Sequence, residues 1–180
     1  MKNFIKILLV LIGLATAGFI GYKAIMYKLD PDKQLVKSAN AITAEVRNKQ
    51  LDCLAKNIHY EAGGEPFEGK VAVAQVTINR AESGEFPSDI CQVVYQKNVV
   101  YGRVICQFSW YCESGPKVRS NAHYRESMEV AKKVLLENFR LPSMHKAMYY
   151  HADYVSPNWN LPKISQIGRH IFYGEKNGKI

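Results

Sequence analysis

The sequence predicts an α+β fold, predominantly helical with a small β-sheet, preceded by an N-terminal hydrophobic helix. Three observations predict it. Helical patterns with their stop signals fill most of the chain up to Asn138, while aromatic and β-branched residues gather in two short blocks, 99–111 and 148–173. Residues 7–22 carry no charged side chain. A length of 180 residues with 47% hydrophobic content supports one compact domain plus an N-terminal extra, and excludes wholesale disorder.

The elements follow in order. Lys2 and Lys6 precede the apolar stretch Ile7–Tyr22, which is the pattern of an export signal, and Ala15-Thr16-Ala17 offers a small-residue cleavage site. Apolar character resumes at Phe19 and Ile20 and again from Ala24 to Tyr27. Residues 1–28 therefore read equally as a cleaved signal or as an uncleaved anchor, with 7–27 as the tether. Positive residues at the extreme N-terminus keep that end inside, so the domain faces outward, in the periplasm or outside the cell. Residues 29–50 read as a polar connecting helix with Pro31 in its first turn. A helix over Leu51–Ala62 stops at Gly63-Gly64. The next starts near Pro66 and runs to Ala81, and its core Val71–Ile78 is apolar almost all round, which implies burial.

Ser88 is placed to cap a short helix through Val94. Val99–Tyr111 reads as a hairpin with a turn at Gly102-Arg103. A last long helix spans Ser120–Asn138 with Tyr124, Met128, Ala131 and Leu135 on one face, and the tail is extended and aromatic. The domain proper is 51–174, with 175–180 a tail.

The formal net charge is +8, of which the leader's four Lys and one Asp supply +3, leaving +5. Such a domain suits an acidic polymer or anionic surface, or simply carries extra solvated Lys. Export and the scatter of the basic residues exclude nucleic acid as the partner. Cys53, Cys91, Cys106 and Cys112 form an even set lying after the leader, as disulfides in an exported domain require. The short separation favours Cys106–Cys112, which leaves Cys53–Cys91. None of the spacings is the C-x₂₋₄-C that clamps zinc, so no metal and no cofactor are expected.

Glu61 sits in the final turn of its helix, before two glycines. The negative end of the helix dipole and aromatic neighbours such as Tyr60 both raise the pKa of a carboxyl there. A carboxylic acid still protonated near neutral pH is what glycosidic cleavage requires of its proton donor. Glu65 either charges the start of the following helix, with Glu68, or serves as a second carboxylate in the cleft. Gln107, Ser109 and Trp110, in Gln107-Phe108-Ser109-Trp110, combine neutral hydrogen-bonding groups with flat rings, as sugar sites do, or else form an ordinary core strand. His151, in Tyr149–Trp159, either contacts substrate or is a satisfied structural histidine.

These blocks together carry a family resemblance. Asn57–Pro66, Glu68–Val76, Ile78-Asn79-Arg80, Phe86-Pro87, Cys91–Gln96, Gln107–Trp110, Tyr150–Val155 and Ile167–Tyr173 occur in the order found in the SleB-type cell-wall hydrolases, the family of spore-cortex-lytic enzymes. The series covers about residues 51–174. The resemblance implies a lysozyme-like fold related to resuscitation-promoting factors and lytic transglycosylases. It further implies cleavage of the β-1,4 bond between N-acetylmuramic acid and N-acetylglucosamine, with Glu61 as the essential acid/base. One departure is Gly63, where the family commonly carries Arg, which puts substrate preference in doubt.

His59-x-Glu61 also resembles the H-x-E of zinc deaminases, but no P-C-x-x-C follows, and the H-E-x-x-H of zincins is absent. The alternative kept is a non-catalytic glycan-binding module of the same fold. The expected partners are peptidoglycan glycan strands and, through the N-terminal segment, a membrane. The domain is expected to act as a monomer.

Overall fold

The computed structural model describes residues 2–29, 31–113, 117–118 and 121–176, without the side chains of 2–5, 7–11, 27, 29 and 31–42. The chain divides into two units, residues 1–46 and 47–180. In the first, helix α1 runs Lys2–Leu29, and its Leu14, Phe19, Ile20 and Tyr22 are exposed. Among the described residues no helix is long and apolar enough to cross a membrane. The tether expected over 7–27 is thus not supported as a crossing. Its described part is diluted by Gly13, Gly18, Gly21 and Thr16, and its residues 7–11 lie outside the described side chains.

Helix α2, Pro31–Ala62, replaces the two separate helices expected over 29–50 and from Leu51. No Gly or Pro lies between Pro31 and Gly63, so nothing interrupts the backbone hydrogen bonds. From residue 47 onward α2 belongs to the second unit, whose centre is α3, Phe67–Ser83. Val71, Ala72, Val73, Ala74 and Val76 are wholly buried, as an apolar circumference requires. Gly84 ends α3 in the left-handed region at φ 77°.

One side of α3 meets Leu54 and Ile58 of α2 and Val130 and Val134 of the last helix; the other meets Ala62, Met144 and Phe172. The short α4, Ile90–Val94, is capped by Asp89 rather than Ser88, with Asp89 Oδ1 accepting from the Gln92 amide at 2.9 Å.

Strands β1, Lys97–Val100, and β2, Arg103–Cys106, pair antiparallel. Their two-residue turn is Tyr101-Gly102, one position earlier than expected, and both residues have positive φ, 49° and 74°. Primed turns of this kind match the strand twist. The chain then turns helical sooner than expected: Ser109–Glu113 is helix α5, not strand. Helix α6, Ala122–Leu136, is capped by Asn121. It buries Ser127, Val130, Ala131 and Val134, a stripe that shares Ala131 with the face read from sequence, whose Tyr124, Met128 and Leu135 are half-buried at its edge and pack against the core.

A 3₁₀ turn at Pro142–Met144 leads to strands β3, Tyr149–Ala152, β4, Lys163–Ile167, and β5, His170–Tyr173. They form an antiparallel sheet ordered β3-β5-β4. The disulfides are Cys53–Cys91, joining α2 to α4, and Cys106–Cys112, tying the hairpin to α5.

Candidate active site

Glu61 occupies the last turn of α2, and the buried Asn57 one turn earlier sets which way that turn faces. Asn57 Nδ2 donates to Thr77 Oγ1 of α3 at 3.1 Å, and its Oδ1 accepts from the Trp110 indole N–H of α5 at 3.1 Å. Three helices are thereby locked beneath Glu61. Opposite stands Tyr150 of β3, whose hydroxyl donates to Glu61 Oε2 at 3.0 Å.

The end of α3 fixes that strand. Asn79 Nδ2 donates to the Met144 and Ala147 carbonyls, at 2.9 and 2.8 Å, and Arg80 Nε to the Met148 carbonyl at 2.8 Å. Arg80 is buried, with the rings of Phe86, Phe108 and Tyr149 at 5.2, 5.4 and 5.8 Å from its guanidinium carbon.

Burial pushes the Glu61 carboxyl above its ordinary value of 4.5; the Tyr150 hydrogen bond and the Arg80 charge oppose that rise, and the Glu113 charge adds to it. Burial and the Glu61 charge hold Tyr150 well above the usual phenol range, so it stays a neutral donor. The arrangement is a carboxyl able to give up a proton and take one back, steadied in its ionised form by a hydroxyl.

The other residues singled out by sequence fall in different places. Tyr60 lies beside Glu61, stacked on Trp110 at 4.5 Å and 13°, with its hydroxyl donating to the Lys117 carbonyl at 2.8 Å. Trp110 is not an open platform: it is 5% exposed and its N–H is engaged by Asn57, so it backs Tyr60 from below. Gln107 is half-buried at the hairpin's end and Ser109 is exposed at the start of α5.

Glu65 does not face an open cleft. Its side chain is 11% exposed, Oε2 accepts from the Arg169 amide at 3.0 Å, and Oε1 lies 4.0 Å from His170 Nδ1. A Cβ at Gly168, where φ is 56°, would collide with this carboxylate, so the β4–β5 turn is shaped around Glu65. Nor does His151 point toward Glu61. Successive strand residues face opposite ways, and His151 bonds the Ala152 carbonyl and Tyr173 Oη, both at 2.9 Å, on the far face. At position 63 a Cβ would collide with the His59 carbonyl oxygen, so the Arg of the resembled family would require this turn to shift.

The sequence reading missed Tyr150, Asn57, Arg80 and Glu113. Signals existed for two: Asn57 is four residues before Glu61 on one helix, and Arg80 is an isolated cation closing a buried helix. A cavity of ≈ 500 Å³, lined by residues including Asn79, Glu82, Glu85, Met148 and Glu175, does not include Glu61. No cluster suited to a metal occurs among the described residues.

The site is thus a buried, hydrogen-bonded carboxyl at a helix end in a mainly helical domain. A family model described as Cell Wall Hydrolase matches residues 64–173, and the chain belongs to that family. The spore cortex-lytic enzymes of Halalkalibacterium halodurans and Bacillus subtilis are 27% identical over 145 residues and 30% identical over 129, or 78% and 69% of this chain. The chain spans 39% and 37% of those two relatives' lengths.

Two solved structures are similar, each with a TM-score of 0.54 and 26% identity: the catalytic domain of the Bacillus cereus SleB protein, and that of the germination-specific lytic transglycosylase SleB from Bacillus anthracis. The matches cover 70% and 69% of this chain and 90% and 93% of those domains. The family match begins three residues beyond Glu61.

Proposed function

We propose that this chain cleaves peptidoglycan at the β-1,4 bond between N-acetylmuramic acid and N-acetylglucosamine, with Glu61 as general acid and then general base. The observation that carries the reading is the buried Glu61 carboxyl, raised in pKa and hydrogen-bonded by Tyr150. Glu61 gives its proton to the glycosidic oxygen as the C1–O bond breaks through an oxocarbenium-like state. The Tyr150 donor stabilises the carboxylate left behind. Glu61 then takes the proton of the muramic 6-hydroxyl as that oxygen closes on C1, giving a 1,6-anhydro product; taking it from water instead gives hydrolysis.

Two considerations favour the anhydro route. Glu65, the nearest carboxylate in sequence among the candidates, is engaged by the β4–β5 turn. One structural relative is itself described as a lytic transglycosylase. Residues 51–174 are proposed as the catalytic domain, exported to the wall side. The uncharged stretch 7–22 behind Lys2 and Lys6 supports an export signal.

The test compares wild type, Glu61→Gln and Glu113→Gln on purified peptidoglycan, with products identified by mass spectrometry. Anhydro-muropeptides lost only in Glu61→Gln are the expected outcome. Reducing-end products that also vanish in Glu113→Gln would establish two-carboxylate hydrolysis. No products from folded wild type would leave the non-catalytic glycan-binding module.

A further inference from the structure

The β3-β5-β4 sheet has two faces. Phe172 and His170 fill the inner one together with Tyr150; His151 and Tyr173 stand on the outer one, and Tyr149, on the edge strand β3, lies between Trp159 and the buried Arg80. Trp159 reaches this outer face from the irregular segment between β3 and β4. Its ring centroid lies 5.5 Å from His151, 5.9 Å from Tyr173 and 6.4 Å from Tyr149, in edge contacts with all three. His151 in turn stacks on Tyr173 at 5.2 Å, and both its ring nitrogens are hydrogen-bonded.

The group is therefore held on a regular sheet with its histidine satisfied internally. Yet Trp159 keeps 43% of its surface exposed, where Trp110 keeps 5%. A tryptophan serving only to cover the sheet would gain by burying that area. Polar side chains are carried by the same sheet and its flanking turns, with Gln166 paired to Ile171, the neighbour of His151 across β5. Gln166 is exposed on β4, and Arg169, beside Tyr154 at 5.5 Å, pairs with Asp153 at 3.5 Å. Fixed aromatic area edged by amide and charged groups is the composition of a sugar-binding surface.

We infer that the outer face of this sheet, centred on Trp159, is a second glycan-binding surface, distinct from the Glu61 site. The indole takes the apolar face of an amino-sugar ring, and Gln166, Asp153 and Arg169 bond its hydroxyl and acetamido groups. Tyr150 and His151 point to opposite faces, so a sugar ring on Trp159 lies on the other side of the sheet from the one at Glu61. The surface holds the enzyme on an insoluble polymer between cleavages. This inference rests on the proposed function for the identity of the glycan.

The full chain carrying Glu61→Gln, which leaves the polymer intact, is sedimented with purified insoluble peptidoglycan, alone and with Trp159→Ala or Trp159→Phe. Trp159→Ala is expected to weaken binding about tenfold, and Trp159→Phe, which keeps a flat ring, by no more than about threefold. In parallel, the indole emission lost in Trp159→Phe is expected to shift when soluble glycan fragments are added to the parent chain. Unchanged sedimentation of folded Trp159→Ala overturns the inference. Should that variant lose its helical circular dichroism, the emission measurement decides, and emission indifferent to saturating glycan overturns it. Wild-type cleavage of the same wall with Trp159-independent binding sinks this surface alone. A wild-type chain that releases nothing, with a parent that fails to sediment, sinks the proposed function and the surface together.

Discussion

Removing one hydroxyl tests the acid–base site most sharply. In Tyr150→Phe the ring still packs 5.6 Å from Phe172, but the 3.0 Å bond to Glu61 Oε2 is gone. That bond acts on the ionised form of Glu61, which exists once the proton has moved to the glycosidic oxygen. A hydrogen bond to a charged group contributes about 1.5–3 kcal/mol. Its loss from the transition state should lower kcat roughly ten- to hundredfold. A second signature separates this from general damage. Tyr150 opposes the rise that burial imposes on the Glu61 pKa, so without it that pKa climbs further. Because Glu61 must be protonated to act, activity falls as pH rises through its pKa, and the falling limb should move to higher pH in the variant. The assay is the pH dependence of anhydro-muropeptide release, with circular dichroism as the control of fold. A folded Tyr150→Phe enzyme whose rate stays within twofold of wild type and whose limb does not move would refute the mechanism.

Two further outcomes follow from the same structure. Glu61→Gln should stabilise the fold at neutral pH: the folded pKa is raised, so above about pH 4.5 the unfolded chain ionises more readily than the native one and wild-type stability is lost. Guanidinium titrations at pH 7 and pH 3.5 should show the gain at the first and its disappearance at the second; an equal gain at both would mean that burial of the Glu61 charge is not its cause. Replacing Cys53 and Cys91 with Ser, a loop of 38 residues, should cost about 4 kcal/mol, against about 2 kcal/mol for Cys106 and Cys112, a loop of 6. Urea midpoints of the two double variants check the order, and a costlier short loop would show that native-state packing, not chain entropy, sets the effect.

Much of this molecule was already present in the order of its residues. Local rules suffice where backbone propensity and short-range pattern decide the outcome. The apolar circumference of Val71–Ile78 made α3 a buried helix, Gly63-Gly64 ended α2, and the aromatic and β-branched blocks supplied the strands, except at Ser109–Tyr111, which is helical. The place of Glu61 in the last turn of α2 was legible for the same reason, whereas the rise in its pKa comes from burial by distant elements and not from the dipole expected from sequence. The tertiary structure decided what depends on long-range register. It set Tyr150 rather than His151 against Glu61, because a strand's two faces alternate and only the pairing with β5 says which face is inside. It turned Trp110 inward onto Asn57, some fifty residues away in sequence, and closed the β4–β5 turn around Glu65. Those choices come from the packing of distant elements, whose contacts no short window of sequence contains.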